Sequence, residues 1–204
     1  MLGLAHILLA LVVYAGSGVS ESRGVEIQHQ AIRFRLDGER IVSHSGEGVS
    51  WFVERGYGEK DDKGLLQLSP IEALYLVEVG KIEIFNENGE KMEFDSLVKL
   101  FAKKSETLWR DYVIYRDLRR RRYVMKEGFS PQLRFRVFER GEYGEAPAKY
   151  IIIPLSEGKD ISVSTIAELI RSCRSMDKEP VLAVVDRRNE VVYYSASIAD
   201  LKNV

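Results

Sequence analysis

The stretch YVIYRDLRRRRYVMKEG, residues 112–128, decides how the chain is read. It opens inside an amphipathic helix expected over about 108–122. Trp109, Tyr112, Val113 and Arg116 recur at i, i+3, i+4 and i+7, and Leu118 adds to the buried side. A strand follows and stops at Gly128. Downstream, FRVFERG (135–141), residues 150–154 and PVLAVVD (180–186) read as strands. Between the last two lies a helix with a capping-box pattern from Thr165 to Glu168. Its apolar face carries Ile166, Leu169, Ile170 and Cys173, while Arg171, Arg174 and Ser175 point away. The chain closes in a hairpin, 181–185 with 191–194, around a polar turn.

Working back toward the N-terminus, the pattern is again short strands and helices. VEIQHQAIRFRLDGERIVS (25–43) alternates with period two and breaks at Asp37-Gly38, a hairpin turn. EGVSWFVERGYG (47–58) reads as a short helix with Val49, Phe52 and Val53 on one face and a glycine stop. LSPIEALYLVEVG (68–80) is a helix capped by Ser69, with Pro70 in its first turn and Glu72 supplying early negative charge. KIEIF (81–85) is a strand, 86–89 a turn, and 95–102 a further helix. The expected class is α/β (α+β): a small mixed α/β module over 25–105, then a module over 106–204 with a mixed central sheet flanked by helices.

Bulk properties narrow the function classes. The chain has 204 residues, 45% hydrophobic and 30% charged, and a formal net charge of −1. No global field draws it onto nucleic acid, so any RNA contact has to come from a local patch, such as the arginines of 116–122 and of 171–174. One cysteine, Cys173, excludes an internal disulfide and suits a reducing compartment, the cytoplasm. With the histidines confined to His6, His29 and His44, no Cys/His metal cluster is expected. MLGLAHILLALVVYAGSG, at the head of an apolar leader over 1–24, has three readings. It is a signal peptide, an extra buried element, or the product of an upstream start; it lacks a basic n-region and is short for a membrane span.

In order and spacing, LSPIEALYLVEVGKIEI (68–84), YVIYRDLRRRRYVMKEG (112–128) and PVLAVVDRRNEVVYY (180–194) resemble the archaeal tRNA-splicing endonucleases, and the resemblance runs from about 25 to 194. It implies a C-terminal domain of the tRNA-intron endonuclease type. It also implies removal of introns from precursor tRNA at bulge-helix-bulge sites without metal or cofactor, leaving 2′,3′-cyclic phosphate and 5′-hydroxyl ends. The family's site combines a tyrosine, a histidine and a lysine, the imidazole suiting proton transfer near neutral pH. The tyrosine ends an F-x-V-Y strand; here Phe135-Arg136-Val137-Phe138 removes the hydroxyl. The histidine stands three residues before the tyrosine of H-x-x-Y; here that place is Pro147, ahead of Tyr150. The lysine is matched by Lys178. An F-G element is missing from Phe129-Ser130-Pro131-Gln132.

The resemblance therefore implies a chain with no catalytic residues of its own, Lys178 being a remnant. It would be the structural subunit of a heteromeric splicing endonuclease, a heterodimer or heterotetramer with a catalytic homologous subunit. The family pairs C-terminal strands, a role that falls in this chain to 191–194, which is apolar on both faces. Arg171, Arg174, Lys178, Arg119 and Arg120 are the candidate contacts to precursor tRNA, and no membrane partner is expected. Each also has a plain reading: Lys178 as a surface-turn lysine, Arg171 on a solvated helix face, the arginines of 116–122 paired with glutamates. Cys173 reads as core. Two other functions stay open: a divergent active endonuclease using Lys178 and Tyr143 with a partner's residues, and a secreted or membrane-anchored interaction protein if the leader is a signal peptide.

Overall fold

The computed structural model describes residues 31–198 apart from 39 and 47. The apolar leader at 1–24 and the start of the first expected strand lie outside the described residues. Asp37-Gly38 turns the chain between β1 (Ile32–Asp37) and β2 (Arg40–Ser43), with Asp37 opposite Arg40. Gly38 takes a φ of +58°, the left-handed conformation that a tight hairpin of this hand requires. Then come α1 (Ser50–Glu54), β3 (Glu59–Lys60) and β4 (Leu66–Leu68). They are followed by α2 (Pro70–Glu78), β5 (Ile82–Phe85) and α3 (Phe94–Ala102). The strands form one sheet in the order β3-β4-β2-β1-β5, antiparallel except for the parallel β1–β5 pair.

The start of α2 matches its sequence. The Ser69 side chain accepts from the Glu72 N–H, and the Glu72 carboxylate accepts from the Ser69 N–H at 2.9 Å, a reciprocal cap contributing about 1 kcal/mol. The other Glu72 oxygen accepts from the Gly58 N–H at 3.0 Å, so the cap also ties the chain entering β3 to α2.

The second half contains α4 (Leu108–Arg120), β6 (Val124–Glu127), β7 (Phe135–Phe138) and β8 (Tyr150–Ser156). It ends with α5 (Val163–Ser175), β9 (Glu179–Val185) and β10 (Val191–Ser195). Its sheet runs β10-β9-β8-β7-β6, and only β8 and β9 are parallel, joined by the α5 crossover. This is the mixed α/β class expected from the sequence. Central β8 is covered on both faces, and Ile151, Ile152 and Ile153 are buried as an unbroken β-branched run. Pro154 follows where β8 has β9 beside it but has outrun β7, so its missing N–H breaks no ladder there.

The main core passes without interruption from Phe34, Ile41 and Leu74 through Tyr112, Ile114 and Tyr115 of α4 to Phe135, Ile152 and Ala183. A smaller cluster of Leu133, Ile151, Ile153 and Cys173 fills the space under α5. Two local expectations need correction. α5 begins three residues before the anticipated cap: Ser162, extended at φ −72° and ψ 147°, accepts from the Thr165 N–H, leaving Thr165 inside the first turn. Trp109 is 40% exposed rather than packed in the helix stripe, because its indole N–H reaches out to Asn189 Oδ1 at 2.8 Å.

Candidate functional site

Three strand ends meet where the chemistry is expected. β7 stops at Phe138, β8 starts at Tyr150 and β9 starts at Glu179. The Lys149 N–H donates to the Val137 carbonyl at 3.0 Å, and the Glu179 N–H donates to the Lys149 carbonyl at 2.9 Å. Phe138, Pro147 and Lys178 therefore fall together at one end of adjacent strands. Lys178 is set there by the end of α5: Asp177 takes φ +55° and returns the Lys178 N–H to the Cys173 carbonyl at 3.0 Å. Pro147 is exposed; Phe138 and Lys178 are half-buried.

The chemistry of that end is thin. Phe138 packs edge-to-face on Tyr143, with centroids 5.0 Å apart at 88°. Proline has no proton to give, and phenylalanine has no hydroxyl. The described histidine, His44, follows β2 in the other sheet, its N–H bonded to the Arg33 carbonyl. One feature that the sequence reading missed is a lysine–glutamate pair: Lys149 Nζ donates to Glu139 Oε2 at 2.9 Å. The hydrogen bond to Glu139 raises the Lys149 pKa above the ordinary lysine value and keeps it an ammonium. The pair lies just beyond the paired ends of β7 and β8, where the sequence pattern carries no signal for it. Among the described residues, no three carboxylate, imidazole or thiol side chains converge to hold a metal ion.

The candidate RNA contacts divide. Arg171 and Arg174 stand three apart on the exposed side of α5, and Arg174 is in the turn that leads to Lys178. Arg120 is exposed and pairs with Glu78 at 3.2 Å, beside Arg116 at 3.5 Å from the same carboxylate. Arg119 is corrected. It is 7% exposed, and its guanidinium donates to the Tyr115 hydroxyl and to the carbonyls of Arg55, Gly56 and Met125. Those internal bonds leave it unavailable to RNA. Its spacing carried the signal, since Tyr112, Tyr115 and Arg119 at i, i+3 and i+7 share one helix face.

β10 lies at the edge of its sheet, with Val192 and Tyr194 exposed on one face and Val191 and Tyr193 packed against the core on the other. No helix of the described residues is long and apolar enough to cross a membrane.

The two sheets, with a helix pair against the first and a crossover helix on the second, coincide with two matched family domains. Residues 32–98 match the family model of the tRNA intron endonuclease N-terminal domain, and residues 108–193 match that of the tRNA intron endonuclease catalytic C-terminal domain. The chain belongs to the tRNA intron endonuclease family. It is 34% identical over 165 residues to a tRNA-splicing endonuclease of Thermococcus onnurineus (strain NA1), covering 81% of this chain and 95% of that protein. A tRNA-splicing endonuclease of Methanococcus vannielii is 34% identical over 166 residues, covering 81% and 93%. One from Pyrococcus horikoshii is 36% identical over 166 residues, covering 80% and 94%.

Proposed function

We propose that this chain is a structural, non-catalytic subunit of a tRNA-splicing endonuclease. It pairs with a catalytic homologous subunit, as a heterodimer or heterotetramer, and helps to shape the surface that holds precursor tRNA. What supports the reading is Phe138 and Pro147 at the strand ends, the positions to which the resemblance assigns the family's tyrosine and histidine. Lys178 alone completes no acid–base mechanism. Arg171, Arg174, Lys178 and Arg120 contribute cations to the RNA surface; the exposed edge of β10 supports strand pairing with the partner.

The test is cleavage of a bulge-helix-bulge precursor tRNA in the absence of metal. The chain alone should leave the precursor intact. Co-expressed with the catalytic homologue of its own genome, it should give products with 2′,3′-cyclic phosphate and 5′-hydroxyl ends. Cutting by the chain alone, abolished by Lys178→Ala, would overturn the reading.

A further inference from the structure

The N-terminal sheet carries an exposed tryptophan in an unusual setting. Trp51, on α1, is 38% exposed, although its ring is held by edge-to-face packing on Phe52 at 5.0 Å. It also lies parallel to Tyr57, 7° from coplanar at 6.2 Å, and Tyr57 in turn stacks on Tyr75. The Arg55 guanidinium sits 4.4 Å over the indole, anchored by its bond to the Trp51 carbonyl, and Lys81 Nζ lies 5.6 Å from the ring centroid. A large aromatic kept half in water costs apolar hydration, and here packing on Phe52 and Tyr57 holds it in that position.

The cations around this ring join a larger patch. Arg119 bonds the Arg55 carbonyl and sits 4.0 Å over Tyr57, fastening the Trp51 loop to the end of α4. From Glu78, which Arg116 and Arg120 share, three residues lead through Val79 and Gly80 to Lys81. Burial raises the Tyr75 phenol pKa, and the nearby Arg119 and Arg120 cations oppose that rise. Against Arg55, Lys81, Arg116 and Arg120 stand Glu54 and Glu78, a positive excess on a chain whose net charge is −1.

We infer that Trp51, Arg55 and Lys81 form a nucleotide-binding platform for single-stranded RNA, in addition to the strand ends that carry Phe138, Pro147 and Lys178. The flat indole–guanidinium pair offers a stacking surface for one unpaired base, and the ammonium and guanidinium meet the flanking phosphates. A mixed-charge protein partner fits less well, because the patch combines a flat aromatic with a net positive charge. The platform builds on the proposed role in handling precursor tRNA and gives the N-terminal sheet a part in it.

The chain has two tryptophans, so Trp109→Phe leaves Trp51 as the only indole reporter. In that background the full-length protein is titrated with a uridine-rich single-stranded RNA of about eight nucleotides. Saturable quenching is expected, with a slope of log affinity against log salt of about −1.4, for two phosphate contacts. Arg55→Gln with Lys81→Gln should weaken binding about tenfold and remove most of that slope. Absence of quenching at low salt overturns the platform, as does quenching unchanged in the double variant. Equal quenching by an acidic polypeptide would assign the patch to protein instead. The titration needs no partner subunit and no cleavage. If it fails while the precursor-cleavage assay succeeds, only the platform falls; the reverse outcome removes only the subunit assignment.

Discussion

Arg119 places its guanidinium 4.0 Å from the centroid of the Tyr57 ring, so a cation from α4 lies on an aromatic from the N-terminal half. The same group bonds the Arg55 and Gly56 carbonyls from that half and the Met125 carbonyl beyond α4. A buried cation satisfied by carbonyls and ring faces is costly to disturb, because each abandoned carbonyl keeps its desolvation penalty.

Arg119→Met should therefore destabilise the protein by about 3 kcal/mol, read as a fall in the urea midpoint. Arg119→Lys should recover less than half of that loss, since an ammonium cannot reproduce the planar fork. A neutral outcome for the methionine variant would show that the carbonyls find other partners.

Gly56 sits at the same junction with φ +72°, and an added Cβ would strike Val124 and lie 3.1 Å from the Tyr143 ring. Gly56→Ala combines a left-handed backbone with crowding against β6. A loss of about 3 kcal/mol in thermal or urea unfolding is expected. Stability within a few tenths of the parent would mean that this loop shifts freely.

Stability should fall steeply in alkali. Burial raises the phenol pKa values of Tyr57, Tyr75, Tyr112, Tyr115 and Tyr193, and for Tyr112 and Tyr193 hydrogen bonds to Glu78 and Asp117 raise them further. Their contribution is complete below the unfolded phenol value of about 10. Above it the unfolded chain ionises first, and stability drains away until the folded phenols titrate. Urea unfolding followed from about pH 8 to 11 should show this loss, with these phenolates appearing only as the protein unfolds. Early, reversible titration of all phenols in the folded state would contradict it.

On the proposed reading, supplying a hydroxyl at Phe138 and an imidazole at Pro147 should not by itself create an enzyme. Phe138→Tyr with Pro147→His puts a hydroxyl where Phe138 now packs on Tyr143 and a ring where proline constrains the backbone. Catalytic groups need placement within about 0.5 Å. Precursor cleavage by the double variant alone should stay at background, and near-native cutting would show a site far more intact than its residues suggest.

Removing the α5 cations tests their proposed share of the RNA surface. Arg171→Ala with Arg174→Ala should weaken precursor binding by the assembled enzyme and lower its salt slope by about 1.4 to 1.8, with little change in thermal stability, because both side chains are exposed. An unchanged slope would return them to a solvated helix face.

Local signals in the sequence located most of the elements. Ser69, Pro70 and Glu72 marked the start of α2 because capping and helix entry depend on neighbours within one turn. Asp37-Gly38 marked the β1–β2 hairpin for the same reason. The start of α5 was missed because Thr165–Glu168 and Ser162–Thr165 both offer a cap, and backbone geometry selects the second. The Lys149–Glu139 pair was missed because it forms beyond the paired ends of β7 and β8, where only the folded loop brings the two together.

The sequence by itself determined the α/β class and the family, since these depend on residue identity and short-range pattern, and it offered Phe138 and Pro147 as the positions on which the proposed role rests. Only the tertiary structure decided which arginines face water. The run 119–122 is uniform in sequence, yet Arg119 turns inward to Tyr57, Tyr115 and three carbonyls while Arg120 stays exposed on Glu78. The two sheets meet across α4, and whether an arginine there is buried or hydrated depends on partners brought together from distant parts of the chain.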